Sequence, residues 1–100
     1  MTELPDAHIK MLVEIPNLGN AVLVDSNVST SIEAARNIFL LNEKNNILWQ
    51  IEPATLSHGV TGYSAIYLGK DNQLFAYSSN GFEYNIDVSN GKIIGKELIR

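Results

Sequence analysis

Any chemistry in this 100-residue chain has to start from two histidines and a few carboxylates. His58 stands in Ser57-His58-Gly59, inside a low-pattern stretch over residues 53–62 whose glycines leave the backbone mobile. An imidazole titrates near neutral pH and could serve as general base to a serine or a bound substrate. No nucleophile elbow or other supporting motif accompanies it. A solvated loop histidine is the simpler reading, and His58 is a weak catalytic candidate. His8 falls on the polar side of its segment with Lys10 and Glu14, where a surface residue belongs. Two histidines far apart, in a chain without cysteine, do not make a zinc site. Glu83, Asn85 and Asp87 are spaced by two and project together from a strand. A calcium site or a glycosidic carboxylate pair would use such groups, and so would a plain solvated face. Gly59, Gly62 and Gly69 lack the Gly-Lys-Ser/Thr sequence of a phosphate loop. The residues imply no cofactor and no metal, and catalysis is not expected.

The elements that position these groups are read best from Asp71 to Gly95. Phe82, Tyr84, Ile86 and Val88 alternate there with Glu83, Asn85 and Asp87, the period of a strand with one apolar face. Asn80-Gly81 and Asn90-Gly91 bracket that run, and Asn-Gly tolerates the positive φ of a tight reversal. Three antiparallel strands over residues 74–79, 82–88 and 92–99 follow. Upstream, Ile9, Met11, Val13 and Ile15 alternate with His8, Lys10, Leu12 and Glu14, and a turn over 16–20 leads to a short strand at 21–25. Residues 26–35 fit a loop or a short helical turn, with Thr30 and Glu33 at capping-box spacing. Residues 36–42 form the next strand, with Ile38, Phe39, Leu40 and Leu41 apolar on both faces, as in an interior strand. Ile47, Trp49 and Ile51 share a face by alternation, which predicts a buried Trp49, and Pro53 ends their strand. Residues 63–68 resume as a strand.

The sum is an all-β chain: an antiparallel meander of about eight short strands, in two blade-like four-stranded units packed as a sandwich or small barrel. A single domain over residues 1–100 is expected, with a loose lead-in at 1–7. At 45% hydrophobic the chain can build a real core. A formal net charge of −4 speaks against nucleic acid. No basic run would hold an anionic membrane, and no apolar run approaches ~20 residues. The N-terminus lacks the basic and apolar regions of a signal peptide, and absent cysteine suits a reducing compartment. The location expected is cytoplasmic.

Residues 39–49 and 84–94 show a weak repeat. Phe39 matches Tyr84, Leu41 matches Ile86, Asn42 matches Asp87, Asn45 matches Asn90, Leu48 matches Ile93, and Trp49 matches Ile94. With these residues the chain resembles quinoprotein-type propeller blades, in which an aspartate, a turn glycine and a tryptophan recur. Ile47-Leu-Trp-Gln-Ile-Glu-Pro53 and Gly81-Phe-x-Tyr-x-Ile-Asp87 also make residues 36–100 similar to small uncharacterised bacterial β-proteins. These resemblances imply a blade-like repeat and no particular activity. A closed propeller usually needs four or more blades, and this chain holds about two.

The functional expectation is a non-catalytic protein-binding module, with immunity or inhibitor-like proteins as its nearest type. Its partner would be another protein, and a homodimer is a further option. Phe75, Tyr77, Tyr63 and Tyr67 are the expected interaction surface, since exposed aromatics anchor interfaces. Two other readings stand beside it. One is a small-ligand binder or hydrolase-like enzyme using the 53–63 loop around His58. The other is a β-assembly subunit joined by edge pairing.

Overall fold

The computed structural model describes residues 9–25, 35–56 and 59–99, with backbone alone for 55, 56 and 59–61. The lead-in at 1–7, His8, His58 and residues 26–34 lie outside the described residues. Ala35, last residue of the segment left open between loop and helix, is buried.

Two four-stranded antiparallel sheets make up the fold. The first holds β1 (Ile9–Ile15), β2 (Gly19–Val24), β3 (Ile38–Leu41) and β4 (Ile47–Gln50), in that order. The second holds β7 (Tyr63–Leu68), β8 (Leu74–Ser78), β9 (Phe82–Ile86) and β10 (Ile93–Leu98), again as a simple meander. Between them β5 (Ala54–Leu56) and β6 (Gly59–Thr61) form a small hairpin, in the stretch read from sequence as patternless. The eight expected strands are present and the sheets do not close into a barrel. Both expected reversals carry glycine at positive φ, +94° at Gly81 and +80° at Gly91. The second is longer than a two-residue turn. Asp87 accepts from the backbone N–H of both Asn90 and Gly91, and β10 starts only at Ile93.

The inner faces of the two sheets share one core. Ala21, Leu23, Ile38, Leu40 and Trp49 come from the first sheet, and Ile66, Leu74, Ala76, Tyr84 and Ile86 from the second. Fully burying each large side chain contributes about 1.5–3 kcal/mol, so this layer is the main source of stability. β3 is buried on both faces, as its unbroken apolarity predicts. Its other face joins Val22 and Val24 in a second cluster with Phe39, Leu41 and Ile47.

Each of the four edge strands carries one extra residue. Ladder register shifts by one at Lys10 in β1, Leu48 in β4, Ser64 in β7 and Ile94 in β10. All four bulged residues are exposed. A bulge resets the alternation of side chains, and this corrects three readings made by strict period 2. Ile47 does not share a face with Trp49 and Ile51; it pairs with Leu41 and packs in the second cluster. Ile9 opposes Val24 whereas Met11 opposes Leu23, so those two point opposite ways, and both are exposed. In the 84–94 hairpin the loop is one residue longer than in the 39–49 hairpin. Leu48 and Ile94 then occupy the bulges, and Gly95 rather than Ile94 stands where Trp49 does.

The side chains of Asn37 and Trp49 both tie the layers by hydrogen bonds. Asn37 is buried, and its amide nitrogen donates to the carbonyls of Val24 and Tyr63 at 2.9 Å each. Its amide oxygen accepts the Tyr63 N–H at 2.9 Å. One side chain thus pairs with a β7 backbone residue on both its polar groups, as a neighbouring strand would. At the other flank, Trp49 Nε1 donates to the Val88 carbonyl at 2.8 Å. The Trp49 ring lies on the backbone of Gly91, where an added Cβ would come within 2.6 Å of it.

Trp49→Ala should cost about 3–5 kcal/mol by emptying a large aromatic site. Asn37→Ala strands three backbone groups at about 1–3 kcal/mol each where water cannot reach them. Urea titrations of the two variants should both show a lowered midpoint; wild-type stability in either would contradict the packing described.

Candidate interaction face

The outward side chains of the second sheet lie in two rows set by the ladder register. Tyr67, Phe75, Asn85 and Gly95 form one row across β7 to β10. Ala65, Tyr77, Glu83 and Glu97 form the other. Their chain neighbours Ile66, Leu74, Ala76, Tyr84 and Ile86 point inward, so the face lies opposite the core. Tyr67 is 43% exposed, and Phe75 and Tyr77 are half-buried. The rings of Tyr67 and Phe75 stack with centroids 5.3 Å apart and planes 22° from parallel. Phe75 in turn sits over Gly69, whose missing side chain admits the ring.

Electrostatics on this face are one-sided. The Tyr67 hydroxyl donates to Glu83 Oε2. That hydrogen bond comes first among the causes that push the Tyr67 pKa up to about 12, with desolvation and the charges of Glu83 and Glu97 behind it. Glu83 and Glu97 stand directly opposite each other across β9 and β10. Like charges so placed are destabilising, on the order of 0.2–1 kcal/mol. Among the described residues the ion pair formed is Lys10–Asp25, remote from this face. The nearby Lys96 is turned to the other side of β10, its Nζ 4.9 Å from the centre of the Phe82 ring.

Three of the four aromatics expected at an interaction surface are thus together, and the fourth is not. Tyr63 is 3% exposed and belongs to the core, edge-on to Tyr84 at 5.8 Å. Its hydroxyl donates to the Glu52 carbonyl at 2.7 Å, and burial drives its pKa upward. The reason is the Ser64 bulge. Alternation places residues 63, 65 and 67 on one side, and the extra residue turns Tyr63 inward. Bulging also brings in two residues that alternation misses. Without Ile94, Gly95 and Glu97 would follow Ile93 toward the core; with it they face outward. The register of the β9–β10 hairpin is the signal that would have found them, and the long turn at 87–92 conceals it.

The other candidates are less assembled. Asp87 serves its turn: its Oδ1 accepts from the Ser89 N–H at 3.0 Å and the Ser89 hydroxyl at 2.7 Å, holding its carboxyl below the usual range. No group of three or more potential metal ligands occurs among the described residues. A concavity of about 430 Å³ opens between the reversals after β1 and β3, lined by Glu14, Asn17, Asn20, Asn42 and Glu43 among others. It does not involve the 53–63 loop that a His58-centred site would use. No helix among the described residues is long and apolar enough to cross a membrane.

Comparison with known proteins gives a family without an activity. The family described as Domain of unknown function (DUF7957) matches residues 3–98. No curated protein and no solved structure matches the chain.

Tyr67 keeps its proton in the folded state above the pH at which a free phenol loses it. The contribution is therefore full below about pH 10 and lost as pH rises through about 12. Ultraviolet titration of the folded protein should show Tyr67 ionising late. Glu83→Gln should shift that step toward 10; an unmoved step would remove Glu83 as its cause.

Proposed function

We propose that this chain, a member of the DUF7957 family, is a non-catalytic protein-binding module that uses the outer face of its second sheet. One observation carries this reading: Tyr67, Phe75 and Tyr77 lie together on a half-exposed strand face, outside the core that holds the fold. Aromatic side chains on rigid strands offer large contact area at little cost in side-chain freedom, and they dominate binding hot spots. An acidic surface beside them suits a basic partner. An immunity or inhibitor-like role is the functional type this combination fits, by analogy of surface chemistry alone.

The alternatives have less support. The edge strands of both four-stranded sheets are bulged, a common device against strand addition, which weighs against assembly by pairing of those edges. A loop-centred enzyme would rest on His58, which lies outside the described residues and has no supporting catalytic motif in the sequence.

The test compares the wild-type protein with a Tyr67→Ala/Tyr77→Ala variant, both immobilised and exposed to extract of the source cells. A photo-crosslinking residue at position 85 should join the retained protein directly. The double variant should keep its circular dichroism spectrum and lose about tenfold or more of that retention. Undiminished retention would end this reading, and loss of biological effect in His58→Ala alone would favour the enzyme.

A further inference from the structure

The two charged residues of the face described above are both acidic, and one of its positions carries no side chain although neither φ nor close packing demands that. Gly95 stands in the middle of β10 on the outer face, next to Asn85 and two residues before Glu97. Its φ is not in the left-handed region, and a Cβ added there would meet only the Asn85 Cβ, at an ordinary 3.9 Å. The contrast with the other glycines is plain. Gly19 would drive a Cβ to 2.0 Å from the Leu41 carbonyl oxygen, and Gly69 would drive one into Phe75. Glycine inside a strand weakens it and often marks a bulge, here the adjacent one at Ile94, or a close approach by another chain or ligand. The other three edge bulges, at Lys10, Leu48 and Ser64, are made without glycine. The recess at Gly95 is bounded by Asn85 along its row and by Glu97 along its strand.

Resting on the binding reading above, we infer that the occupant of this face is a basic protein segment that presents arginine to Glu97 and Glu83 across the Tyr67–Phe75 stack. Charge complementarity selects the sign. The chain carries a net charge of −4, and two carboxylates oppose each other here with no lysine or arginine of the described residues paired to them. A cation placed between them removes their mutual repulsion. Geometry favours arginine over lysine. A guanidinium is planar, stacks on aromatic rings, and bonds a carboxylate with two parallel N–H groups. An ammonium does neither in the same fixed form. Glu97 is the exposed member of the pair, while Glu83 already accepts the Tyr67 hydroxyl. The first arginine contact therefore goes to Glu97, and Gly95 lets the incoming backbone lie close enough to reach it.

The probe is a five-residue peptide of alternating serine and arginine, blocked at both ends, with lysine and glutamine counterparts. Each is titrated into isotopically labelled full-length protein and followed by NMR. The arginine peptide should move the amide signals of Tyr77, Glu83, Asn85 and Glu97 and bind about tenfold tighter than the glutamine peptide, with lysine between them. Glu97→Gln should remove most of that difference, and salt at about 0.5 M should do the same. Gly95→Thr should raise the melting temperature, since threonine suits a strand better than glycine, and still abolish peptide binding. Equal affinity for the arginine and glutamine peptides overturns the inference, as does full binding by Glu97→Gln or by Gly95→Thr. If it is overturned while Tyr67→Ala/Tyr77→Ala still releases the crosslinked partner, the binding face stands with an occupant of other chemistry. If that double variant retains the partner, both fall.

Discussion

Two sheets can share a core only if the chain passes between layers without stranding backbone groups in apolar surroundings. The amide of Asn37 meets that condition. It takes up the last carbonyl of β2 and both polar groups of Tyr63 at the start of β7, all at 2.9 Å. A buried hydrogen-bonding group left alone costs more than a made bond contributes, so the three bonds act together or not at all. They fix where β7 begins relative to the first sheet, and with it the register of everything downstream. Arg36 reinforces the junction, its Nε donating to the Ile51 carbonyl at 2.8 Å. On the opposite flank Trp49 does the corresponding task by wedging against Gly91 and bonding Val88. The sandwich is pinned on both sides, and the sheet between the pins is a stiff support for its outer face.

Much of this was legible in the sequence because its causes are local. Alternation of Phe82, Tyr84 and Ile86 with Glu83 and Asn85 fixed a strand and its inner face. The unbroken Ile38–Leu41 run announced a strand covered on both sides. Two Asn-Gly pairs marked two reversals, and Trp49 was read as buried. What was not legible depends on pairing between strands. A bulge is a property of two strands, since one of them has a residue too many for the other. No feature of Ser64 or Ile94 alone reveals it. Tyr63 was therefore grouped with Tyr67, Ile47 with Trp49, and Glu97 was passed over. Asn37 escaped notice for a related reason: its partners Val24 and Tyr63 are distant in sequence. The small hairpin Ala54–Leu56 and Gly59–Thr61 was missed because three-residue strands are too short to show a period.

The outer face of the second sheet owes part of its character to one of those bulges. The extra residue Ile94 sets Glu97 and a bare glycine beside Glu83 and three aromatic rings, where alternation alone would have turned both toward the core. Bulges interrupt both edges of each four-stranded sheet, so those edges no longer offer an unbroken ladder to another strand.

A consequence lies in the numbering of the second sheet. From Ala65 to Ile86, and again beyond the Ile94 bulge, the outward residues 65, 67, 75, 77, 83, 85, 95 and 97 are odd and the inward residues 66, 74, 76, 84 and 86 are even. Ile93, between the long turn and the bulge, is an odd residue that faces inward. Core and outer surface are thus written on separate, interleaved sets of codons. Point changes can rewrite the outward set one position at a time while the inward set keeps its volumes. Such a scaffold can change its outer surface by gradual substitution, without passing through an unfolded ancestor. The insertion or loss of a single residue within a strand is the one event that would exchange the two sets at a stroke.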